Sequence, residues 1–283
     1  MLVFDIGGTF IKYALVEEGT IVYKDKTPTP DGSQMTVVLS KLILDLMQRF
    51  EFAHIGISTA GQVDVESGSI IFAGPTLPNY TGVQLKSELE AATSLEVSVL
   101  NDVEACIYNY QQVDNLLYIS LGTGIGGAYK TNGQIFRGEN GVALEVGHLY
   151  HPKGDSFENI CSTRSLLEQY KNQTNEEISG EQFDSLVASS DNTALKLIDQ
   201  FFEDIAIGLL NIKYILDYNH VIIGGGITEA KFFSAEKVFD KLQTLNANTD
   251  VSNIKIETSR LGNDAAILGV YYYTQQAKEQ NEI

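Results

Sequence analysis

LVFDIGGTFIKYALVEEGTIVY, residues 2–23, decides the reading of this 283-residue chain, because LLYISLGTGIGGAYKTNGQIF, residues 116–136, repeats its plan. Each stretch reads as an apolar strand, a Gly/Thr turn, a second strand, a polar turn and a third strand. The turn cores, Gly7-Gly8-Thr9 and Gly122-Thr123-Gly124, are small enough for backbone N–H groups to approach a phosphate without side-chain obstruction. Two such hairpins facing each other predict a polyphosphate held between them.

Working outward, strands alternate with helices. After the first meander, Val37, Leu39, Leu42, Leu44 and Leu46 predict an amphipathic helix, followed by the strand-like HIGIST, a GQVD turn and a helix near 83–92. The strand EVSVL then ends at Asn101-Asp102, and VEACIYNY continues as a helix, so both polar residues occupy a strand-to-helix junction. Beyond the second meander the chain reads as largely helical over 162–218, then enters the buried strand and glycine turn VIIGGGI. This pattern predicts an α/β fold of two lobes, residues 1–110 and 111–283, joined by a tight hinge near 110–115. The last helix, 264–278, is expected to return to the first lobe.

Composition narrows the partners. With 37 acidic against 19 basic residues the formal charge is −18, which disfavours nonspecific attraction to nucleic acid or anionic lipid. An anionic ligand would therefore rely on local backbone donors. Cys106 and Cys161 have no disulfide-framework or zinc-finger spacing, and the sequence shows no signal-peptide pattern and no apolar run of membrane-spanning length. The expectation is a cytoplasmic protein with reduced thiols and no membrane or nucleic-acid partner.

DIGGTFIK, GISTAGQVD, LNDVEA, SLGTGIGG, ALEVGH and IIGGGI, in this order over nearly the whole chain, resemble the ROK family of sugar kinases. That resemblance implies the actin-like ATPase (ribonuclease H-like) fold with duplicated strand meanders, ATP with Mg²⁺, and a homodimer. It implies ATP contacts at Asp5, Gly7, Gly8, Thr9 and Lys12, at Gly122, Thr123, Gly124, Gly126 and Gly127, and at Gly224, Gly225 and Gly226. It also implies Asp102 as the base that deprotonates a sugar hydroxyl, most often the 6-hydroxyl. The sugar itself would meet Gly61, Asn101, Glu145, His148 and Glu158.

The residue chemistry bears on these roles independently. A sugar hydroxyl is a poor nucleophile until a positioned carboxylate takes its proton, and a helix N-terminus favours the ionised form of Asp102. The competing reading makes Asn101 and Asp102 simple helix caps. Asp5, beside a phosphate turn, suits a site where Mg²⁺ offsets its charge. Lys12 is equally readable as a phosphate contact or as an exposed strand lysine.

Two departures from the family pattern stand out. The family commonly carries a Cys-x-Cys-Gly-x-x-Gly-Cys zinc segment after the His, whereas HLYHPKGDSFENICSTRSLL holds Cys161 alone, so no structural zinc is expected. Thr76 stands where the family usually has an asparagine, with Tyr80 supplying the following aromatic, and Ala60 replaces a common proline before Gly61. One hydroxyl cannot reproduce the donor and acceptor of an amide, so recognition of the sugar is expected to differ there.

The resulting expectation is an ATP-dependent kinase of a hexose or hexose derivative. The alternative is a noncatalytic sugar-binding regulatory protein of the same fold, against which the presence of Asp102 and both turns argues.

Overall fold

The computed structural model describes residues 1–139, 141–245 and 248–281. The chain opens with three strands, β1 (Leu2–Ile6), β2 (Phe10–Glu17) and β3 (Thr20–Pro28), and α1 (Met35–Met47) follows. Helix α1 buries Met35, Leu39, Ile43 and Leu46, the spacing of one helical face. Next come β4 (His54–Thr59), a short hairpin of β5 (Gln62–Asp64) and β6 (Ser69–Phe72), α2 (Leu85–Thr93), β7 (Glu96–Asn101) and α3 (Asp102–Ile107). The GQVD segment, read from sequence as a turn, is thus the first arm of a hairpin, too short to reveal its alternation.

The second meander is β8 (Leu116–Leu121), β9 (Ile125–Thr131) and β10 (Gln134–Ile135). It leads to a small hairpin, β11 (Tyr150–His151) and β12 (Asp155–Ser156), then α4 (Phe157–Cys161), α5 (Thr163–Thr174), α6 (Gly180–Ala188) and α7 (Asn192–Leu216). Helix α7 starts on Asp191, whose side chain accepts the Ala194 N–H, and stops where Asp217 turns left-handed at φ 50°. The chain ends with β13 (His220–Gly224), α8 (Ala235–Thr244), β14 (Lys255–Thr258) and α9 (Ala265–Asn281).

The main strands form two five-stranded sheets of the same plan, ordered β3-β2-β1-β4-β7 and β10-β9-β8-β13-β14. In each, an antiparallel meander is extended by two strands parallel to its first. The duplication visible in the sequence is therefore a duplication of whole sheets. By contact density the chain divides into two compact units, residues 1–111 with 138–142 and 264–283, and residues 112–137 with 143–263. Helix α9 belongs to the first unit, against whose β4 it packs so closely that a Cβ on Gly56 would overlap Val270.

The first core gathers Leu2, Phe4 and Ile6 of β1 with Leu39 and Ile43 of α1. The second gathers Leu117 and Ile119 of β8 with Phe201, Phe202 and Ile205 of α7. Among the described residues no helix is long and apolar enough to cross a membrane.

Candidate active site

In the first unit, β1, β4 and β7 run parallel, so their C-terminal ends emerge at one edge of the sheet. Ile6 lies opposite Thr59, and Thr59 opposite Asn101. The Gly7-Gly8-Thr9 turn, Ala60-Gly61 and Asn101-Asp102 thus leave the sheet side by side, the strand-end location that open α/β sheets use for ligands.

The turn is held by the Gly7 N–H on the Phe10 carbonyl at 3.1 Å and by the Thr29 hydroxyl on the Gly7 carbonyl at 2.7 Å. Gly8 and Thr9 are exposed. Behind the turn, Asp5 accepts from Lys12 Nζ at 3.4 Å and from Ser58 Oγ at 3.2 Å. Asp5 and Lys12 are direct cross-strand partners, so the lysine side chain is engaged by this carboxylate. Burial pushes the Asp5 carboxyl above the usual aspartate range, against the opposing pull of Lys12 and Ser58.

A carboxyl whose folded pKa is raised contributes stability below its unfolded pKa and loses it as pH rises through the folded value. Asp5→Asn is therefore expected to leave the unliganded protein at least as stable as the parent at pH 7, with the difference shrinking below about pH 4. Urea titrations at both pH values check this, and a variant destabilised only at pH 7 contradicts it.

Asn101 caps α3. Its Oδ1 accepts the Val103 and Glu104 amides at 2.9 and 3.1 Å, while its Nδ2 donates to the Gly61 carbonyl at 3.0 Å and to Asp102 Oδ1 at 2.9 Å. Asp102 Oδ1 also accepts the Val103 amide at 3.0 Å. The asparagine side chain is thus spent on orienting the carboxylate beside it and on tying it to Gly61, whose φ of 103° favours glycine.

Thr76 lies against the turn, 3.3 Å from where a Cβ on Gly8 would stand. Tyr80 is fully buried, and its hydroxyl shares a 2.9 Å hydrogen bond with Thr59, so it anchors this segment from below.

In the second unit, β8 and β13 are parallel, with Gly224 opposite Ser120. This brings Gly122-Thr123-Gly124 and Gly224-Gly225-Gly226 to one edge, where a Cβ on Gly122 would lie 3.9 Å from the Gly226 nitrogen. Gly225 adopts φ 85° hard against the Leu121 carbonyl, a conformation and a clearance that suit glycine. The Gly122 amide closes its own turn on the Gly124 carbonyl at 2.9 Å. Gly126 and Gly127 continue into β9, and a Cβ on Gly127 would stand 2.9 Å from the Leu144 carbonyl.

Glu158 reaches this second turn. Its Oε2 accepts the Ile125 amide at 2.9 Å and packs over Gly124, and its Oε1 lies 3.6 Å from Arg164 Nη2. Gly147 lies so close beneath Ile125 that a Cβ would overlap the Ile125 carbonyl. His148 next to it is exposed. Burial pushes the Glu145 carboxyl up; His148 pulls it back and the Glu158 charge adds to the rise.

Sequence reasoning missed Thr163. Its amide holds the Gly122 carbonyl at 2.8 Å, and its buried hydroxyl oxygen has no hydrogen-bond partner. The only sequence signal was a Ser-Thr pair ahead of a helical run. Ser58, which holds Asp5, was equally silent.

Among the described residues no group of three or more His, Cys, Asp or Glu side chains is placed to hold a metal ion. A Mg²⁺ that arrives with a nucleotide needs fewer protein ligands, because phosphate oxygens and waters fill most of its octahedron. Asp5, an oxygen donor beside the first turn, fits that requirement.

The family model described as ROK family matches residues 1–277. A beta-glucoside kinase of Listeria monocytogenes is 30% identical, with 99% of this chain and 98% of that protein covered. An N-acetylmannosamine kinase of Vibrio vulnificus is 31% identical, with 98% of each covered. A ROK family glucokinase from Streptomyces griseus, solved in complex with glucose and AMPPNP, superposes with a TM-score of 0.80 at 23% identity, covering 97% of this chain and 99% of that one. The two sheets are thus those of the actin-like ATPase fold.

Proposed function

The chain belongs to the ROK family, and on that premise we propose that it is a carbohydrate kinase that moves the γ-phosphoryl group of ATP to a hydroxyl, the 6-hydroxyl, of a hexose or hexose derivative. The observation that carries this reading is the alignment of strand ends in the first unit, where Asp102, oriented by Asn101, leaves the same edge of the sheet as the first Gly/Thr turn, with β4 between them.

In the proposed reaction Asp102 accepts the hydroxyl proton as the sugar oxygen bonds to the γ-phosphorus. The bond from that phosphorus to the β,γ-bridging oxygen breaks, and ADP leaves. Asp102 Oδ1 is held by two donors, so the carboxylate enters the reaction in one orientation. The amides of the exposed residues Gly8, Thr9 and Thr123 are assigned to phosphate oxygens, and Gly224 to Gly226 to the adenosine side. When bound, Mg²⁺ neutralises charge on the β- and γ-phosphates. Glu145 and His148 are assigned to sugar hydroxyls, which need directional partners. Lys12, held by Asp5, is assigned to balancing that carboxylate more than to contacting phosphate.

A panel of glucose, mannose, fructose, N-acetylated hexosamines and β-glucosides, each assayed with ATP and Mg²⁺ for coupled ADP release, tests the reading. Sugar-dependent release with at least one of them is the expected result. Sugar binding by calorimetry without ADP release from any would replace the enzyme with a noncatalytic sugar-binding protein.

A further inference from the structure

The second unit buries a carboxylate that the proposed chemistry does not use. Asp204 lies in the middle of α7 and is 1% exposed. Lys153 Nζ meets its Oδ2 at 2.5 Å, and Gln200 Nε2 donates to its Oδ1 at 3.2 Å from one turn earlier in the helix. His151, equally buried, accepts the Lys153 amide on Nδ1 at 3.3 Å and turns its Nε2, which has no hydrogen-bond partner, toward Asp204 Oδ1 at 4.0 Å. Burial holds His151 below the usual imidazole range despite the nearby carboxylate, which leaves Lys153 as the main balancing cation.

Lys153 and His151 both sit on the hairpin of β11 and β12, and this hairpin joins His148 at one end to Glu158 at the other. One turn beyond Asp204, Gly208 leaves room for the Phe157 ring, which a Cβ would overlap, and Phe157 stacks on His151 at 6.4 Å with an interplanar angle of 10°. Gln200, Asp204 and Gly208 therefore form one stripe of α7, on which Asp204 and Gly208 receive His151, Lys153 and Phe157. At the far side of that segment Glu158 grips the Ile125 amide of the second turn.

Asp204 is buried while the Lys153 side chain is 40% exposed, so the pair reaches the surface, and such a pair adds little net stability. It does fix geometry. We propose that Asp204, acting through Lys153 and His151, is a positioning residue that docks the hairpin on α7 and so sets where His148 and Glu158 stand for the sugar. The inference rests on the kinase reading for the identity of the ligand, and on the buried cluster alone for the docking.

The test uses the full chain with Asp204→Asn, with Lys153→Met, and with the double variant Asp204→Leu/Lys153→Met, which removes both charges. Three readouts are taken: melting temperature, amide hydrogen exchange over 146–161, and sugar KM and kcat with the best sugar of the panel. Each single variant is expected to raise exchange in this segment and to raise sugar KM about tenfold while kcat stays within about threefold. The double variant is expected to regain the parental melting temperature but not the parental sugar KM.

Folded single variants with sugar KM within about twofold of the parent overturn the proposal, as does a double variant in which KM recovers together with stability. Should the parent release no ADP with any sugar, the kinase reading fails by itself. Unchanged exchange over 146–161 in Asp204→Asn then overturns the docking, and raised exchange upholds it.

Discussion

Replacing Asp102 by Asn is expected to lower turnover by about three orders of magnitude while sugar and ATP affinities stay within a few-fold of the parent. The amide is close to isosteric with the carboxylate, so the Asn101 and Val103 contacts that hold Oδ1 persist if the side-chain oxygen takes its place. What the variant lacks is the ability to take a proton from the acceptor hydroxyl as the phosphorus–oxygen bond forms. Turnover measured by coupled ADP release, alongside sugar titration calorimetry, decides the matter. Near-parental turnover would reduce Asp102 to a helix-cap residue, and a loss of sugar binding equal to the loss of turnover would make it a binding group.

The largest stability effect is expected from a glycine remote from any ligand. Gly269 of α9 faces α3 so closely that a Cβ would overlap the Ala105 carbonyl oxygen, a backbone atom that cannot swing aside. Around this contact Asn109 Nδ2 donates to the Ala265 carbonyl at 2.7 Å, and Tyr108 meets Tyr273 edge-on at 5.0 Å between ring centroids. Gly269→Ala must push the helices apart. We expect a loss of about 3 kcal/mol, or a melting temperature lower by roughly 6–10 °C. Gly180→Ala, where a Cβ would meet nothing within 4 Å, is the control and should cost nothing. Because α3 begins at Asp102, Gly269→Ala should also depress turnover in protein that remains folded; equal melting curves for the two variants would show that the close approach carries no energetic weight.

The parts of this architecture that sequence could reveal are those written in backbone-permissive residues and local periodicity. Gly7-Gly8-Thr9 and Gly122-Thr123-Gly124 announce themselves because little else allows such turns, and the two sheets follow from the strands around them. The pairing of Asp5 with Lys12 depends on the register, which is set by the four residues 7–10 between the paired Ile6 and Ile11.

Other features depend on contacts that sequence separates. Asp204 and Lys153 are 51 positions apart, and an acidic residue in FFEDIAIGLL reads as solvated until the helix is seen to be covered on that side. Tyr80 was legible only as the aromatic that follows Thr76, and its burial against Gly32 and Thr59, which makes it a structural post, was not. Asn101 reads from sequence as a sugar contact or a helix cap; that its amide donates to Gly61 and Asp102 depends on side-chain direction, which residue type does not reveal.

The first unit takes its last helix from the far end of the chain, and that has a bearing on biosynthesis. As the polypeptide leaves the ribosome, the elements bearing Asp5 and Asp102 emerge early but lack the helix that completes their packing until the entire second unit has been made, a delay of roughly ten to thirty seconds at ordinary translation rates. The second unit, continuous apart from one five-residue excursion, can reach its native state during that interval. A chain that stops between Asn263 and α9 therefore carries a complete second unit and a first unit that lacks its last helix, a natural substrate for proteolytic quality control.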